Sequence, residues 1–216
     1  ESKIISEAVS VFLYPSKKPL NYTNVSTKIK SKSKILKEKD ILKAKNIFNL
    51  IKKGKWIIAL QQTQKIKDKE FKNLVTWLYL KERGNQATFN DYKKFIDENS
   101  DYPRIGRLRY MAEHKIILEN TSPQIIINWF TDAEPLSGTG RIKLGEAYLK
   151  INEIELGRNL IKLGWVNADL SSRDVKYYRK KFNKILTTQD HLKRADHLAW
   201  NNKYWDLKRM LRYLPK

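Results

Sequence analysis

A succession of short helical patterns runs through most of this sequence and limits the folds that the chain can adopt. From about Lys43 onward, apolar residues recur at helical spacing, and hardly any segment alternates as a strand does. The pattern predicts eleven helices, over residues 44 to 53, 56 to 66, 69 to 82, 89 to 98, 103 to 118, 123 to 131, 141 to 151, 153 to 164, 172 to 184, 188 to 199 and 203 to 213. Because the connections are short, consecutive helices are expected to run antiparallel. We therefore predict an all-α fold, a superhelical array of short helical hairpins.

The predicted helix starts carry capping signals. A hydroxyl residue stands three positions before an acid at Thr88 and Asp91, Ser171 and Asp174, and Thr187 and Asp190. In this arrangement the hydroxyl caps the first turn, and the carboxylate lies at the positive end of the helix dipole. Pro103 and Pro123 suit first-turn positions, because the N–H that proline lacks has no partner there.

Residues 137 to 165, SGTGRIKLGEAYLKINEIELGRNLIKLGW, predict a tight helical hairpin. The first helix has an apolar face made of Leu144, Ala147, Tyr148 and Ile151, and the second has a stripe made of Ile154, Gly157, Ile161 and Gly164. The two glycines let a neighbouring helix approach closely, at a cost in helix propensity of about 1 kcal/mol each. Only Asn152 and Glu153 remain to turn the chain, so the two helices must be antiparallel.

Composition limits the classes of partner. The chain has 216 residues, a formal charge of +21 and no cysteine, which excludes a disulfide framework and a thiolate metal site. No apolar run approaches the roughly 18 residues of a membrane span. The charge favours a polyanion such as nucleic acid, anionic lipid or an acidic wall polymer. Lysines outnumber arginines 33 to 11, however, as AT-rich genomes favour, and lysine lacks the bidentate fork of arginine.

Two segments are predicted along the chain. Residues 1 to 40 include PSKKPL at 15 to 20 and the start of a lysine-rich run, and they have no sustained period. We expect them to form a flexible basic segment that the fold does not need. Within it, residues 4 to 14 are consistent with a short element whose type the sequence does not determine. Residues 41 to 216 are expected to form one helical domain.

Candidate metal ligands are few. The histidines are His114, His191 and His197, and the stretch DHLKRADH at 190 to 197 suggests a ligand cluster. On a helix, however, Asp190 and His197 share a face but lie about 10 Å apart along the axis, and His191 points elsewhere. We predict neither a metal site nor a cofactor, and we expect the histidines at surface or interhelical positions.

The other candidates for chemistry favour structural roles. Asp132 and Glu134 form a carboxylate pair on a loop without a nearby nucleophile, so loop capping is expected, and acids in general are expected at capping and exposed positions. The SGTG stretch at 137 to 140 follows no strand, which argues against a phosphate cradle. Most tryptophans are expected to fill the core, with stacking on sugars or bases as the alternative. They are Trp56, Trp77, Trp129, Trp165, Trp200 and Trp205.

Three blocks of sequence together resemble a known family. They are FIDENSDYPRIGRLRYMAEHK (95 to 115), WFTDAEPLSGTGRIKLGEAYL (129 to 149) and LTTQDHLKRADHLAWNNKYWDLKRMLRYLP (186 to 215). In this order they are similar to the helical U-domain of soluble lytic murein transglycosylases of alphaproteobacteria. The resemblance extends over residues 44 to 216 and implies a superhelix of short helices. The enzymes of this family cleave the glycan strands of peptidoglycan without water, leaving an anhydromuramoyl end, in the periplasm.

The resemblance also implies a catalytic domain, which residues 1 to 216 do not include. In the family, the catalytic glutamate lies in a lysozyme-like domain after the U-domain, within a Glu-Ser motif that opens a helix. The Glu-Ser pair of this sequence, Glu1 and Ser2, stands at the opposite end, so we assign no catalytic residue. The implied function is that of a non-catalytic scaffold in the periplasm, whose partners are the catalytic domain and the glycan strand.

Two other functions stay open. A helical-repeat adaptor would bind a protein or peptide in a concave groove. Nucleic-acid binding rests on charge alone and lacks a recognition helix or an aromatic and basic motif, so nucleic acid is disfavoured as a partner. Binding to peptidoglycan through lysines is expected to be weak and sensitive to salt, whereas binding that persists at high salt would indicate stacking by tryptophans.

Overall fold

The computed structural model describes residues 36–215, and every regular element in that part of the chain is a helix. The helices are α1 (Glu38–Lys52), α2 (Trp56–Thr63), α3 (Lys69–Lys81), α4 (Phe89–Glu98), α5 (Ile105–Glu113), α6 (Pro123–Thr131), α7 (Gly138–Lys150), α8 (Ile154–Asn167), α9 (Ser172–Lys181), α10 (Thr188–Trp200) and α11 (Tyr204–Met210). A 3-10 helix, Leu211–Tyr213, continues α11. The predicted all-α fold is confirmed for these residues. Of the predicted flexible segment, residues 1 to 40, residues 1 to 35 lie outside the part of the chain that the structure describes. Helix α1 begins at Glu38.

Capping residues mark several of the observed helix starts. Thr88 and Thr187 each form a full capping box with the acid three residues later, and Ser171 accepts a hydrogen bond from the backbone of Asp174, as predicted. Pro123 stands in the first turn of α6, also as predicted. The first turn of α7 is formed by the SGTG stretch itself, because the Ser137 hydroxyl accepts a hydrogen bond from Gly140 at 2.8 Å.

The prediction that Pro103 lies in the first turn of a helix is wrong. Helix α5 begins only at Ile105, and Arg104 before it has a left-handed backbone with a φ of 61°. A helix cannot run through a residue in that conformation, so Pro103 belongs to the preceding turn. The carbonyl of Pro103 accepts a hydrogen bond from the indole nitrogen of Trp77 at 2.9 Å.

Three of the connections are the same three-residue turn. They join α1 to α2, α7 to α8 and α10 to α11, and their central residues Gly54, Asn152 and Asn202 have φ angles of 68°, 68° and 55°. In each turn the N–H of the third residue donates to the carbonyl five positions earlier, at 2.9 to 3.0 Å. This is the Schellman ending of a helix, which glycine and asparagine favour. The third residue then precedes the next helix directly, so each turn makes a tight helical hairpin.

Glycines set the distance between α7 and α8. A Cβ on Gly157 would lie 2.8 Å from the carbonyl oxygen of Gly145, and a Cβ on Gly164 would lie 2.6 Å from that of Gly138. The predicted close approach at Gly157 and Gly164 is therefore confirmed, and glycines of α7 match them across the interface. Ile151 and Ile154, which the sequence places in the buried stripes, are instead exposed beside the turn.

The apolar core runs along the chain as three successive clusters. The first joins α1, α2 and α3 around Ile47 and Val75, the second extends from α3 to α7 around Tyr92, and the third extends from α7 to α11 around Trp165. Each cluster is built mainly from elements that are neighbours in sequence, as in stacked helical hairpins. Within residues 36–215, no helix is long and apolar enough to cross a membrane.

Candidate binding surface

The structure places the three histidines in separate surroundings. The ring of His191 lies edge-on against Trp165, with ring centroids 5.4 Å apart, and burial, followed by the charge of Arg179, lowers its pKa below the ordinary value. His114 contacts the carbonyl oxygen of Tyr110, and His197 lies in the last turn of α10. Among the described residues, no group of three or more His, Asp or Glu side chains is arranged to hold a metal ion.

The loop before α7 is held by a carboxylate that the sequence did not single out. Glu113, at the end of α5, accepts hydrogen bonds from the backbone N–H of Leu136 at 2.7 Å, from that of Ser137 at 2.8 Å and from the Ser137 hydroxyl. Asp132 and Glu134, the predicted loop carboxylates, are both exposed. The capping role in this loop thus belongs to Glu113, which stands more than twenty residues away in sequence.

The expectation that acids lie mainly at capping and exposed positions is wrong for Glu146, which is only 4% exposed and lies within α7. Glu146 forms ion pairs with Lys143 at 3.4 Å and with Lys181, so it joins α7 to α9. Burial, together with the charge of Glu146, raises the pKa of the neighbouring Tyr178. Glu113 therefore holds the loop before α7 by hydrogen bonds, and Glu146 links α7 to α9 through its ion pair with Lys181.

The tryptophans divide into core and surface residues. Trp129 and Trp165 are buried, and Trp56 and Trp77 are half-buried against the second core cluster, so a packing role is confirmed for these four. Trp200 and Trp205 differ sharply, with exposed fractions of 88% and 66%. For these two, the stacking alternative is the one that the structure leaves available.

The two exposed tryptophans belong to one turn, residues 200–205, which we call the aromatic turn. Trp200 ends α10, and Tyr204 and Trp205 begin α11. Tyr204 is 62% exposed, and its ring meets that of Trp205 edge to face with centroids 5.2 Å apart. The Lys208 ammonium lies 5.6 Å from the Trp205 centroid. Exposed aromatic rings in mutual contact, as Tyr204 and Trp205 are, are a feature of binding surfaces, whereas single exposed rings need no explanation.

The aromatic turn is held in place by backbone and side-chain contacts. Asn202 adopts the left-handed conformation of the shared hairpin turn, and the Asn201 amide donates to the carbonyl of His197 at 2.8 Å. Lys203 forms an ion pair with Asp169 at 3.2 Å, which links the turn to the α8–α9 loop. The exposed rings therefore project from an ordered hairpin end, with amide and ammonium groups beside them.

A second surface feature is an apolar groove along α8. Leu156 and Leu163 are exposed one above the other on this helix, and with Leu160 they line a cavity of about 470 Å³. Phe130 of α6 and Tyr148 of α7 also line it, and its polar lining residues are Glu134, Arg141 and Asn167. The groove has the apolar character of a surface that contacts another protein segment.

Comparison with known proteins gives no relative from which a function can be transferred. No family model, no curated protein and no solved structure matches this chain. Its function has to be argued from the aromatic turn, the α8 groove and the buried polar groups.

Proposed function

We propose that this chain is the non-catalytic helical scaffold of a lytic transglycosylase and that its aromatic turn contacts the glycan strands of peptidoglycan. The observation that carries the proposal is the joint exposure of Trp200, Tyr204 and Trp205 on one hairpin turn. A sugar ring has an apolar C–H face that stacks on an aromatic ring, and its hydroxyls accept and donate hydrogen bonds. The ammonium of Lys208, which lies 5.6 Å from the Trp205 ring centroid, is placed to meet such hydroxyls.

The buried polar groups support the scaffold role. Glu113, from the first of the three blocks that resemble the transglycosylase family, binds the backbone of Ser137 in the second block. Arg194, from the third block, donates to the carbonyls of Trp165 and Ala168 at the end of α8. The blocks that resemble the family therefore include polar residues that hold helices together. Such residues are expected to be common to proteins that share a scaffold.

The proposal assigns separate tasks to charge and to aromatic rings. The net charge of +21 attracts acidic wall polymers over long range, and salt screens that attraction beyond about 10 Å at 0.1 M. Stacking on the aromatic turn acts at contact and is little affected by salt. The proposed partners are the glycan strand and a catalytic domain, the proposed compartment is the periplasm, and the proposed shape is the superhelix of the family.

Cosedimentation with purified sacculi across a salt series tests the proposal. At about 0.5 M salt, where screening acts within a few ångströms, the wild-type chain is expected to retain part of its binding. The variant Trp200→Ala/Trp205→Ala should lose that salt-resistant part. The control Leu156→Ala/Leu163→Ala, which also removes two exposed apolar side chains, should retain it. Equal loss in the two variants would remove the aromatic turn from the proposal.

The α8 groove favours a second candidate, an adaptor that binds a protein or peptide. Leu156, Leu160 and Leu163 offer an apolar stripe to such a partner. An adaptor without affinity for glycan predicts that wild-type protein fails to sediment with protein-free sacculi at any salt concentration. That result would favour the adaptor over the scaffold.

A further inference from the structure

The Arg194 side chain is buried to an unusual degree for a cation. It is 1% exposed, it lies in α10, and its guanidinium carbon is 4.9 Å from the ring centroid of Trp165. Its Nη1 donates to the carbonyl of Trp165 and, at 2.9 Å, to that of Ala168. Its Nε has no hydrogen-bond partner among residues 36–215. A buried donor without an acceptor costs about 1–3 kcal/mol, and more when the group is charged.

The buried charge of Arg194 also has no paired carboxylate in the described part of the chain. The two acids whose charges reach it are engaged elsewhere, since Asp206 pairs with Arg209 and Asp169 pairs with Lys203. Burial accordingly lowers the pKa of Arg194 to about 10, and the two acids offset this only in part. Buried cations are ordinarily paired with an anion, so this one is a candidate to receive an anion from outside.

A cavity of about 210 Å³ lies beside Arg194 and is lined by residues of α9, α10, α11 and the 3-10 helix. Val175, Leu198 and Met210 give it an apolar wall. Lys176, Arg209 and Arg212 add three further cations, of which Arg209 pairs with Asp206. The cavity therefore combines apolar surface with a strong excess of positive charge.

We propose that this cavity binds a small organic carboxylate, whose apolar arm contacts Val175 and Leu198 and whose carboxylate pairs with Arg194. A guanidinium matches a carboxylate in geometry and charge, and the two carbonyl contacts of Arg194 occupy only its Nη1. Two features favour a monoanion with an apolar arm over inorganic phosphate. The walls are partly apolar, and the Asp206 carboxylate, which also lines the cavity, repels a second negative charge. The site is separate from the aromatic turn, so it does not depend on the scaffold function.

The test uses the full chain labelled with ¹⁵N and follows the Nε–H resonance of Arg194, identified by its absence in Arg194→Lys. Isovalerate, a branched monocarboxylate, is the probe. Isovaleramide has the same shape without the charge, and inorganic phosphate at equal ionic strength has charge without the apolar arm. We expect isovalerate to shift the Arg194 resonance saturably in the millimolar range and to raise the melting temperature, with neither control doing so.

A second variant keeps the test decisive if Arg194→Lys does not fold. Val175 is half-buried and lines the cavity, so Val175→Phe fills part of the cavity and leaves Arg194 in place. It should abolish the isovalerate-dependent rise in melting temperature. The proposal is overturned if isovalerate has no effect on the wild-type chain, or if isovaleramide or phosphate acts as strongly. It is also overturned if Val175→Phe folds and responds like the wild type.

Discussion

At the scale of single residues, buried ionic groups act as joints between helices. Glu113 ties α5 to the start of α7, Glu146 ties α7 to α9, and Arg194 ties α10 to the end of α8. None of these contacts has a local sequence signature, because each joins residues from separate helices. Helical periodicity shows which face of a helix is apolar, but it cannot reveal a polar residue that is buried by a distant partner.

Replacement of Glu113 tests one of these joints. In Glu113→Gln, an amide N–H₂ replaces a carboxylate oxygen that accepts hydrogen bonds, so at least one buried N–H loses its acceptor. We expect the free energy of unfolding to fall by about 2 kcal/mol, and the melting temperature by roughly 4–8 °C. The control Glu134→Gln, at an exposed loop position, should leave both unchanged. Thermal unfolding followed by circular dichroism measures the difference. Equal melting temperatures for Glu113→Gln and wild type would show that Glu113 does not stabilise the contact between α5 and the start of α7.

The lowered pKa of His191 predicts a pH dependence of stability. Between the folded-state pKa and the ordinary value of 6.5, the unfolded chain binds more protons than the folded one, so stability rises with pH. This contribution is fully present above 6.5 and is lost as the pH falls through the folded-state pKa. Denaturant unfolding from about pH 7 to pH 5 should show a smaller decline in the free energy of unfolding for His191→Phe than for wild type. Parallel declines in the two proteins would contradict the assignment.

At the scale of elements, the sequence predicted the number of helices, their capping boxes and the glycine contact of Gly157 and Gly164. These features depend on residues that lie close together in the chain, and local propensity determines them. The sequence did not predict the left-handed Arg104, or the common turn at Gly54, Asn152 and Asn202. The turn sequences KGK, INE and NNK have glycine or asparagine at the centre but no residue type common to all three at any position, so the backbone geometry was needed to show that they are alike.

The glycine contact between α7 and α8 gives a matched pair of substitutions. Gly157→Ala places a methyl group 2.8 Å from the Gly145 carbonyl oxygen and must push the helices apart, at a cost of about 1–3 kcal/mol. Gly106→Ala in α5 meets nothing within 4 Å, and it should stabilise the chain by about 0.4–1 kcal/mol. Chemical denaturation of both variants provides the measurement. If Gly157→Ala stabilised the chain, the α7–α8 interface would have to accommodate the added methyl group without cost.

At the scale of the whole molecule, the sequence could not show that Trp200 and Trp205 are exposed, because it does not distinguish them from the tryptophans that pack in the core. Both residues occur at helical spacing beside apolar residues, as Trp165 does. Trp165 is covered by α10, whereas Trp200 and Trp205 lie at the free end of the α10–α11 hairpin. Their exposure follows from where the hairpin ends relative to its neighbours, which is a property of the assembled array.

The scaffold account also predicts the behaviour of the chain as an isolated molecule. Glycosidic bond cleavage calls for a positioned acid, and the buried carboxylates Glu113 and Glu146 are held by donors and cations. Residues 1 to 216 incubated with sacculi should release no anhydromuropeptides in a mass-spectrometric profile. Anhydro products from this chain alone would show that it is an enzyme in its own right.

The central claim is that the aromatic turn contacts glycan, and the indole N–H resonances of the six tryptophans test it most directly. Peptide-free glycan strands are titrated into ¹⁵N-labelled protein at about 0.5 M salt. The salt screens the attraction by lysines and leaves aromatic stacking intact. The account predicts saturable shifts of the Trp200 and Trp205 resonances, with those of the buried Trp129 and Trp165 unchanged. If no indole resonance shifts, or if only resonances other than those of Trp200 and Trp205 do, the aromatic turn is not the glycan-binding surface.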